Sequence, residues 1–285
     1  MMVMLGTFIV QTRPTKFINE LSTTLVSSYH ELYSVYWWYN LIAFTFMSCM
    51  ILWIVMYRTK GVIVTFTIVS WNLNTAGHGI NVIAPFLNDH HILLHINRMI
   101  RFPALVSASI TFSVWNIILL PYILFFILDT EQKRYHFTKW NLSFRLVQLH
   151  ICNIIWAVLN TIVTRRSEAM TFDKDDLWYG LLLSLGYGLF YTMILDRIGV
   201  HIYPIFSPRS NLVTLTYTLV IVIHFLFHRL WNVIIQHYMD FLSLQFLFGM
   251  NVLVVIVSLI ISQIVSWKKE RGQSAKEEKD IKKEK

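Results

Sequence analysis

A chain of 285 residues with 55% apolar and 14% charged side chains holds too little charge for an ordinary soluble domain, where about a quarter of residues are charged. The net charge of +8 would suggest nucleic acid in a soluble protein, but here the basic residues sit at the ends of apolar runs and in the tail, so the partner is an anionic lipid surface and not nucleic acid. Cys49 and Cys152 both lie inside apolar runs, which excludes a disulfide framework and a zinc ribbon.

Met1 to Val10 is apolar, yet no basic segment precedes it and no small-residue cleavage site follows a core of proper length. No cleavable signal peptide is therefore predicted, and the first span acts as an uncleaved anchor. Residues 1–35 form an amino-terminal extension. A helix needs about 20 apolar residues to cross the hydrocarbon core, and uncharged runs fall at 34–57, 61–87, 102–128, 146–164, 177–195, 210–228 and 241–267. The expectation is an all-α polytopic transmembrane helix bundle of about seven spans. Six spans and a re-entrant segment is the alternative, because His228, Arg229 and Asp240 interrupt the end of the chain.

Between the second and third runs, DHHILLHINRMIR reads as an amphipathic segment lying on the headgroups. Residues 236–267 form an additional carboxy-terminal hydrophobic span, followed by a charged tail at 268–285. The tail ends KDIKKEK and resembles the dilysine signal through which a retrieval coat returns proteins to the endoplasmic reticulum membrane. A cytosolic tail then places the amino terminus in the lumen. The Lys and Arg excess has the expected sign for this orientation, although the tail supplies it. The sequon Asn141-Leu142-Ser143 falls in the 3/4 connection, on the cytosolic side, and is expected to be unmodified.

Whatever the orientation, connections 1/2, 3/4 and 5/6 share one face. Thr65 lies about 6 Å and His150 about 7.5 Å below it at 1.5 Å per residue. An ionisable group within a span is a functional candidate by default; the alternative for His150 is an interhelical hydrogen bond. Thr65 is a candidate nucleophile or a threonine bonded back to its own helix. His150, Asn153, Ala157 and Thr161 share one stripe of the fourth span. On the second span Thr65, Asn72 and Ala76 share a face nearly opposite Asn74, His78 and Asn81. A helix polar on two sides belongs at the centre of the bundle.

The blocks GYGLFYTMILDRIGVHIYPIF, LHICNIIWAVLNTI and VIVTFTIV, with the Tyr203-Pro204 pair after Gly199, resemble the androgen-induced family over roughly residues 36 to 235. The resemblance implies a multi-span hydrolase of fatty acid esters of hydroxy fatty acids, with a catalytic intramembrane threonine and histidine. Reading without gaps from those segments lands on Thr65 and His150, with Thr67 as the alternative threonine. A hydroxyl becomes a competent nucleophile when a nearby base removes its proton, and neutral imidazole does this near pH 7. No Asp or Glu lies in either span, so the pair would act as a dyad, with Asn153 as an assisting or structural amide. Arg145, Arg197 and Arg209, with His201 and Tyr203, rim the same face. They are topology anchors or, for Arg145, Arg209 and Tyr203, contacts for a lipid carboxylate.

No metal or cofactor is expected. The rival readings are an inactive scaffold or lipid-binding protein and, less strongly, a diiron hydroxylase built on His91, His95, His224 and His228. A transporter is disfavoured, since no inverted repeat and no matching Gly or Pro breaks are visible.

Overall fold

The computed structural model describes residues 32–56, 65–87, 91–165, 171–200 and 213–238, with the single positions 207, 209, 211, 249 and 256. Among these residues there is no strand. Helix α1 is Val35–Met56 and α2 is Phe66–Ile83, closed by a 3-10 turn at Ala84–Phe86 where Pro85 cannot continue the ladder. Helix α3 runs over 91–127 and widens to π geometry on either side of Pro121, at Val114–Leu119 and Ile123–Ile127. Proline has no N–H to donate, and the wider turns absorb the missing bond.

Helix α4, Glu131–Asn141, is exposed along most of its length and starts on the Thr130 hydroxyl, which accepts from Lys133 N. Asp129 accepts a hydrogen bond from the Lys133 ammonium at 2.8 Å, which holds its carboxyl below the usual range. A 65° bend joins α4 to α5, which covers 144–165 and holds a π turn at Gln148–Cys152. Helix α6, Lys174–Leu195, opens on a reciprocal capping box between Asp173 and Asp176. It stops at Gly199, whose φ of 80° lets Val200 N reach back to Leu195 O at 2.9 Å. Helix α7 is Val213–Tyr238.

Four segments are long and apolar enough to cross a membrane: Val35–Met56, Ile96–Ile127, Lys174–Leu195 and Val213–Gln236. The bent pair α4–α5 makes a fifth if it counts as one span. This architecture is consistent with a multi-pass membrane protein. The expected span at 241–267 lies outside the described residues, as do the amino-terminal extension up to residue 31 and the tail. Helix α2 is too polar to pass as a span, for it carries Asn72, Asn74, His78 and Asn81 in 18 residues.

Two-sided polarity predicts that helix α2 is enclosed on both faces; the Asn74, His78 and Asn81 face is, whereas Asn72 and Ala76 stay exposed. The helix packs against α1, α3 and α5 and buries eleven residues, among them Trp71, Asn74, His78 and Asn81. Trp37 Nε1 donates to Val82 O and Trp71 Nε1 to Met47 O, both at 3.1 Å, which ties α1 antiparallel to α2. One apolar cluster joins α1, α2 and α5 around Met47, Trp71 and Leu149. A second joins α3, α6 and α7 around Phe102, Leu181 and Trp231.

The segment expected to lie on the headgroups is instead continuous with the third span. Residues 91–101 are the first turns of α3, and Arg101 is buried against α6, with Nη2 3.9 Å from Asp176 Oδ1 and both side chains 4% exposed. Its guanidinium also lies 5.7 Å from the centre of the Phe172 ring. The charge that reads as a boundary in sequence is neutralised by a partner 75 residues away.

Glycines set how closely these helices approach. A Cβ on Gly77 would fall onto the Asn160 amide and crowd Asn97 Oδ1, whereas one on Gly186 meets nothing within 4 Å. Gly77→Ala is therefore expected to cost about 1–3 kcal/mol through overpacking. Gly186→Ala is expected to be neutral or to stabilise by about 0.5–1 kcal/mol through helix propensity. Thermal unfolding in one detergent checks both; a Gly77 variant as stable as the Gly186 variant would contradict the packing.

Candidate functional site

Helices α2 and α5 run parallel, because their side-chain bonds climb together. Asn153 Nδ2 donates to Ser70 Oγ at 2.9 Å, Asn74 Nδ2 to Asn153 Oδ1 at 2.8 Å, and Asn81 Nδ2 to Asn160 Oδ1 at 3.4 Å. Thr65 and His150 consequently lie toward the same end of the bundle. Their depths are not matched. Asn153 sits level with the interval between Ser70 and Asn74, so His150 lies level with about residue 69, and Thr65 is about one turn, roughly 6 Å, nearer the end.

Thr65 is the N-cap of α2, and its Oγ1 accepts from Ile68 N at 3.4 Å. An uncapped helix start leaves four N–H groups without partners, which gives this hydroxyl a local structural duty. The face it heads, through Asn72 and Ala76, is the exposed side of α2, whereas Asn74, His78 and Asn81 form the buried side. Thr67, the alternative threonine, is buried at 8% exposure.

His150 lies in the π turn of α5 and is half-buried. Its ring stacks on Trp115 of α3, with centroids 4.3 Å apart and planes 10° from parallel. Trp115 is itself fixed by donation from Nε1 to Asn141 Oδ1 at 2.7 Å, and Asn116 Nδ2 reaches the His150 carbonyl at 3.3 Å. The His150 Nδ1 atom is buried with no hydrogen-bond partner, and no hydrogen bond joins the ring to Thr65. Trp115, Asn116 and Asn141 are the residues that sequence reasoning missed here. The two amides were a legible signal, each a polar group beside or within an apolar run.

Asn153 is engaged on both sides of its amide by α2, as the structural alternative has it. Of the rim residues, Arg209 Nε lies 3.8 Å from Asp196 Oδ2, so this guanidinium already faces a carboxylate of its own chain. Arg145 is half-buried at the start of α5 and makes no ion pair with a described residue. Arg197 is exposed. Tyr203 and His201 lie outside the described residues.

A second hydroxyl–imidazole pair is hydrogen-bonded. Ser184 Oγ of α6 lies 3.0 Å from His224 Nε2 of α7, and His224 Nδ1 lies 2.7 Å from Val220 O. A carbonyl only accepts, so Nδ1 carries the ring proton and Nε2 presents its lone pair to the serine hydroxyl. His224 is fully buried and Ser184 is half-buried. Of the four histidines an iron site would use, His224 is engaged in this pair, and His228 Nε2 donates to Asp173 O at 2.9 Å. Among the described residues no group of three or more His, Cys, Asp or Glu side chains is set to hold a metal.

The sequon is occupied by the fold. Asn141 is 7% exposed and its amide oxygen holds Trp115. It is expected to carry no glycan whichever side of the membrane it faces, so Asn141→Gln should leave gel mobility unchanged. A glycosidase-sensitive shift in the unsubstituted protein would contradict this burial.

The site thus comprises a capping threonine, a clamped half-buried imidazole on a parallel helix, and a separate serine–histidine pair. Set against known proteins, the chain matches no protein-family model, no curated protein and no solved structure.

Proposed function

We propose that the protein is a membrane-embedded hydrolase of lipid esters, of the class of fatty acid esters of hydroxy fatty acids, with Thr65 as nucleophile and His150 as its base. The observation that carries the reading is the state of His150: an imidazole inside an apolar helix, held flat against an indole, with a buried ring nitrogen that no structural hydrogen bond uses. A stacked tryptophan face stabilises the cation that forms when the ring takes a proton. In this reaction the Thr65 proton passes to the imidazole as the oxygen bonds to the acyl carbon. The ester C–O bond breaks as that proton passes to the departing alkoxide, and water then releases the fatty acid with the same imidazole as base.

At rest the two groups are not bonded, so the reaction requires Thr65 to leave its cap and close about one turn of axial distance. Its bond to Ile68 N, at 3.4 Å, is long for a hydrogen bond and correspondingly weak. Arg145, Arg209 and Tyr203 are assigned to the lipid carboxylate, and the protein to the endoplasmic reticulum membrane with its tail in the cytosol.

One observation favours a second reading of the same activity. Ser184 and His224 are already hydrogen-bonded with the correct tautomer, the geometry in which a base activates a hydroxyl. A structural interhelical bond has the same appearance. A fluorophosphonate probe on the purified protein, followed by peptide mapping, separates them. An adduct on Thr65 is the expected result; one on Ser184 moves the nucleophile to α6, and a protein that is not labelled leaves the lipid-scaffold reading.

A further inference from the structure

Asn40 fixes the proton positions at the centre of the bundle. Its Nδ2 donates to Tyr36 O at 2.8 Å, so its Oδ1 is the atom turned to α2. That oxygen receives Asn81 Nδ2 at 3.1 Å and His78 Nδ1 at 2.9 Å. An amide oxygen only accepts, so Nδ1 carries the hydrogen of the neutral ring and Nε2 is a bare lone pair. This Nε2 is buried and makes no hydrogen bond, and the Trp156 backbone group near the ring is a carbonyl, an acceptor that cannot supply the missing hydrogen. One turn toward the Thr65 end, Asn74 Oδ1 is in the same condition, for Asn74 gives its Nδ2 to Asn153 while its own oxygen is buried without a partner.

Two acceptors at i and i+4 share one face of α2, with their Cβ atoms about 6 Å apart. They cannot bond each other. A bridging species must donate two hydrogens, and among neutral amides water does so without bringing in charge. A third buried acceptor without a partner, Asn97 Oδ1, lies on the other side of Asn81, to which Asn97 Nδ2 donates at 2.6 Å. Arg98, the next residue, pairs with Asp173 at 3.4 Å with both side chains a third or more exposed, so this end of the amide line meets the aqueous rim.

We propose that a water molecule bridges Asn74 Oδ1 and His78 Nε2, and that water reaches this position from the Asn97 end of the bundle along Asn97, Asn81 and Asn160. On α2 the line from Asn81 to Ser70 spans about 16 Å. Its inner end, the Ser70–Asn153 bond, is three residues from His150. The site is a binding site for water in its own right. That this water also serves deacylation rests on the hydrolase reading given above.

Hydroxyl-radical labelling by a brief X-ray pulse, on the full chain in lipid nanodiscs, tests it, since radicals form from water at the labelled position. His78, Tyr39 and Trp156 pack ring against ring and are 7% exposed or less. Met47 is fully buried in the same apolar cluster as Tyr39 and Trp156, away from the amide line, and is the dry reference, its thioether being the more reactive group. The expected result is oxidation of His78 and Trp156 several-fold faster than Met47, with that excess lost in Asn74→Leu and reduced several-fold in Asn97→Leu. Labelling of Trp156 no faster than Met47 in the unsubstituted protein overturns the site, whether or not either variant folds. An excess unchanged by Asn97→Leu overturns the route. The readout does not involve ester turnover: a protein that fails as a hydrolase leaves the expected labelling intact, and an active hydrolase with a dry Trp156 removes the water site alone.

Discussion

Thr65→Ala and His150→Ala are each expected to lower ester hydrolysis by about 10²–10⁴-fold, the range that positioned proton transfer supplies. The two should not add. Residues acting on one proton form a unit, so the double variant is expected to hydrolyse no more slowly than the weaker single one. Stability should separate the two sites as well. Losing the Thr65 cap of α2 is expected to cost about 0.5–2 kcal/mol, whereas His150→Ala gives up the face-to-face stack on Trp115, worth about 0.5–1.5 kcal/mol beyond the ring area it buries. Unfolding curves of both variants separate these losses from a loss of catalysis. Thr67→Ala, a buried change two residues from the cap, tests the register and is expected to retain turnover. Measured release of hydroxy fatty acid from a defined ester decides: full activity in Thr65→Ala with loss in Ser184→Ala transfers the chemistry to α6.

Asp176→Ala is expected to destabilise the folded bundle by roughly 3–5 kcal/mol, because it strands a buried guanidinium. Arg101 is 4% exposed, and the Asp176 carboxylate 3.9 Å away carries its balancing charge. The same carboxylate accepts from Asp173 N at 3.0 Å, so the start of α6 loosens with it. Arg101→Met with Asp176→Leu is expected to recover most of the loss, since an apolar pair of similar volume replaces a buried ion pair at little cost. Denaturant unfolding in mixed micelles provides the measurement. A single-variant cost within about 0.5 kcal/mol would place the pair among ordinary surface substitutions.

Apolar runs are legible because a span must satisfy its own backbone, and α1 begins and ends within one residue of the run that announces it. The third span reads ten residues too short, since Arg98 and Arg101 mark a boundary until Asp173 and Asp176 are known to meet them. The seventh helix runs past His228 and Arg229 to Tyr238 for a related reason: His228 is held by a backbone carbonyl and Arg229 is exposed. The parallel course of α2 and α5 also follows from sequence. What periodicity does not give is rotation about an axis. Thr65 and Asn153 are both on polar stripes, yet the first stripe is open and the second is spent on α2. The flat contact between His150 and Trp115 depends on two π turns, and an extra residue per turn shifts every later side chain out of the 3.6-residue pattern.

Asn232 grips the Phe172 backbone by both its N–H, at 2.6 Å, and its carbonyl, at 3.0 Å, while His228 and Arg98 hold Asp173 beside it. That stapled rim behaves like the spring of a clothes-peg. Helices α3, α6 and α7 cannot splay there without breaking several bonds at once. Under the proposed function a bulky lipid would enter away from that rim, between helices, and would leave at the rate at which those helices part.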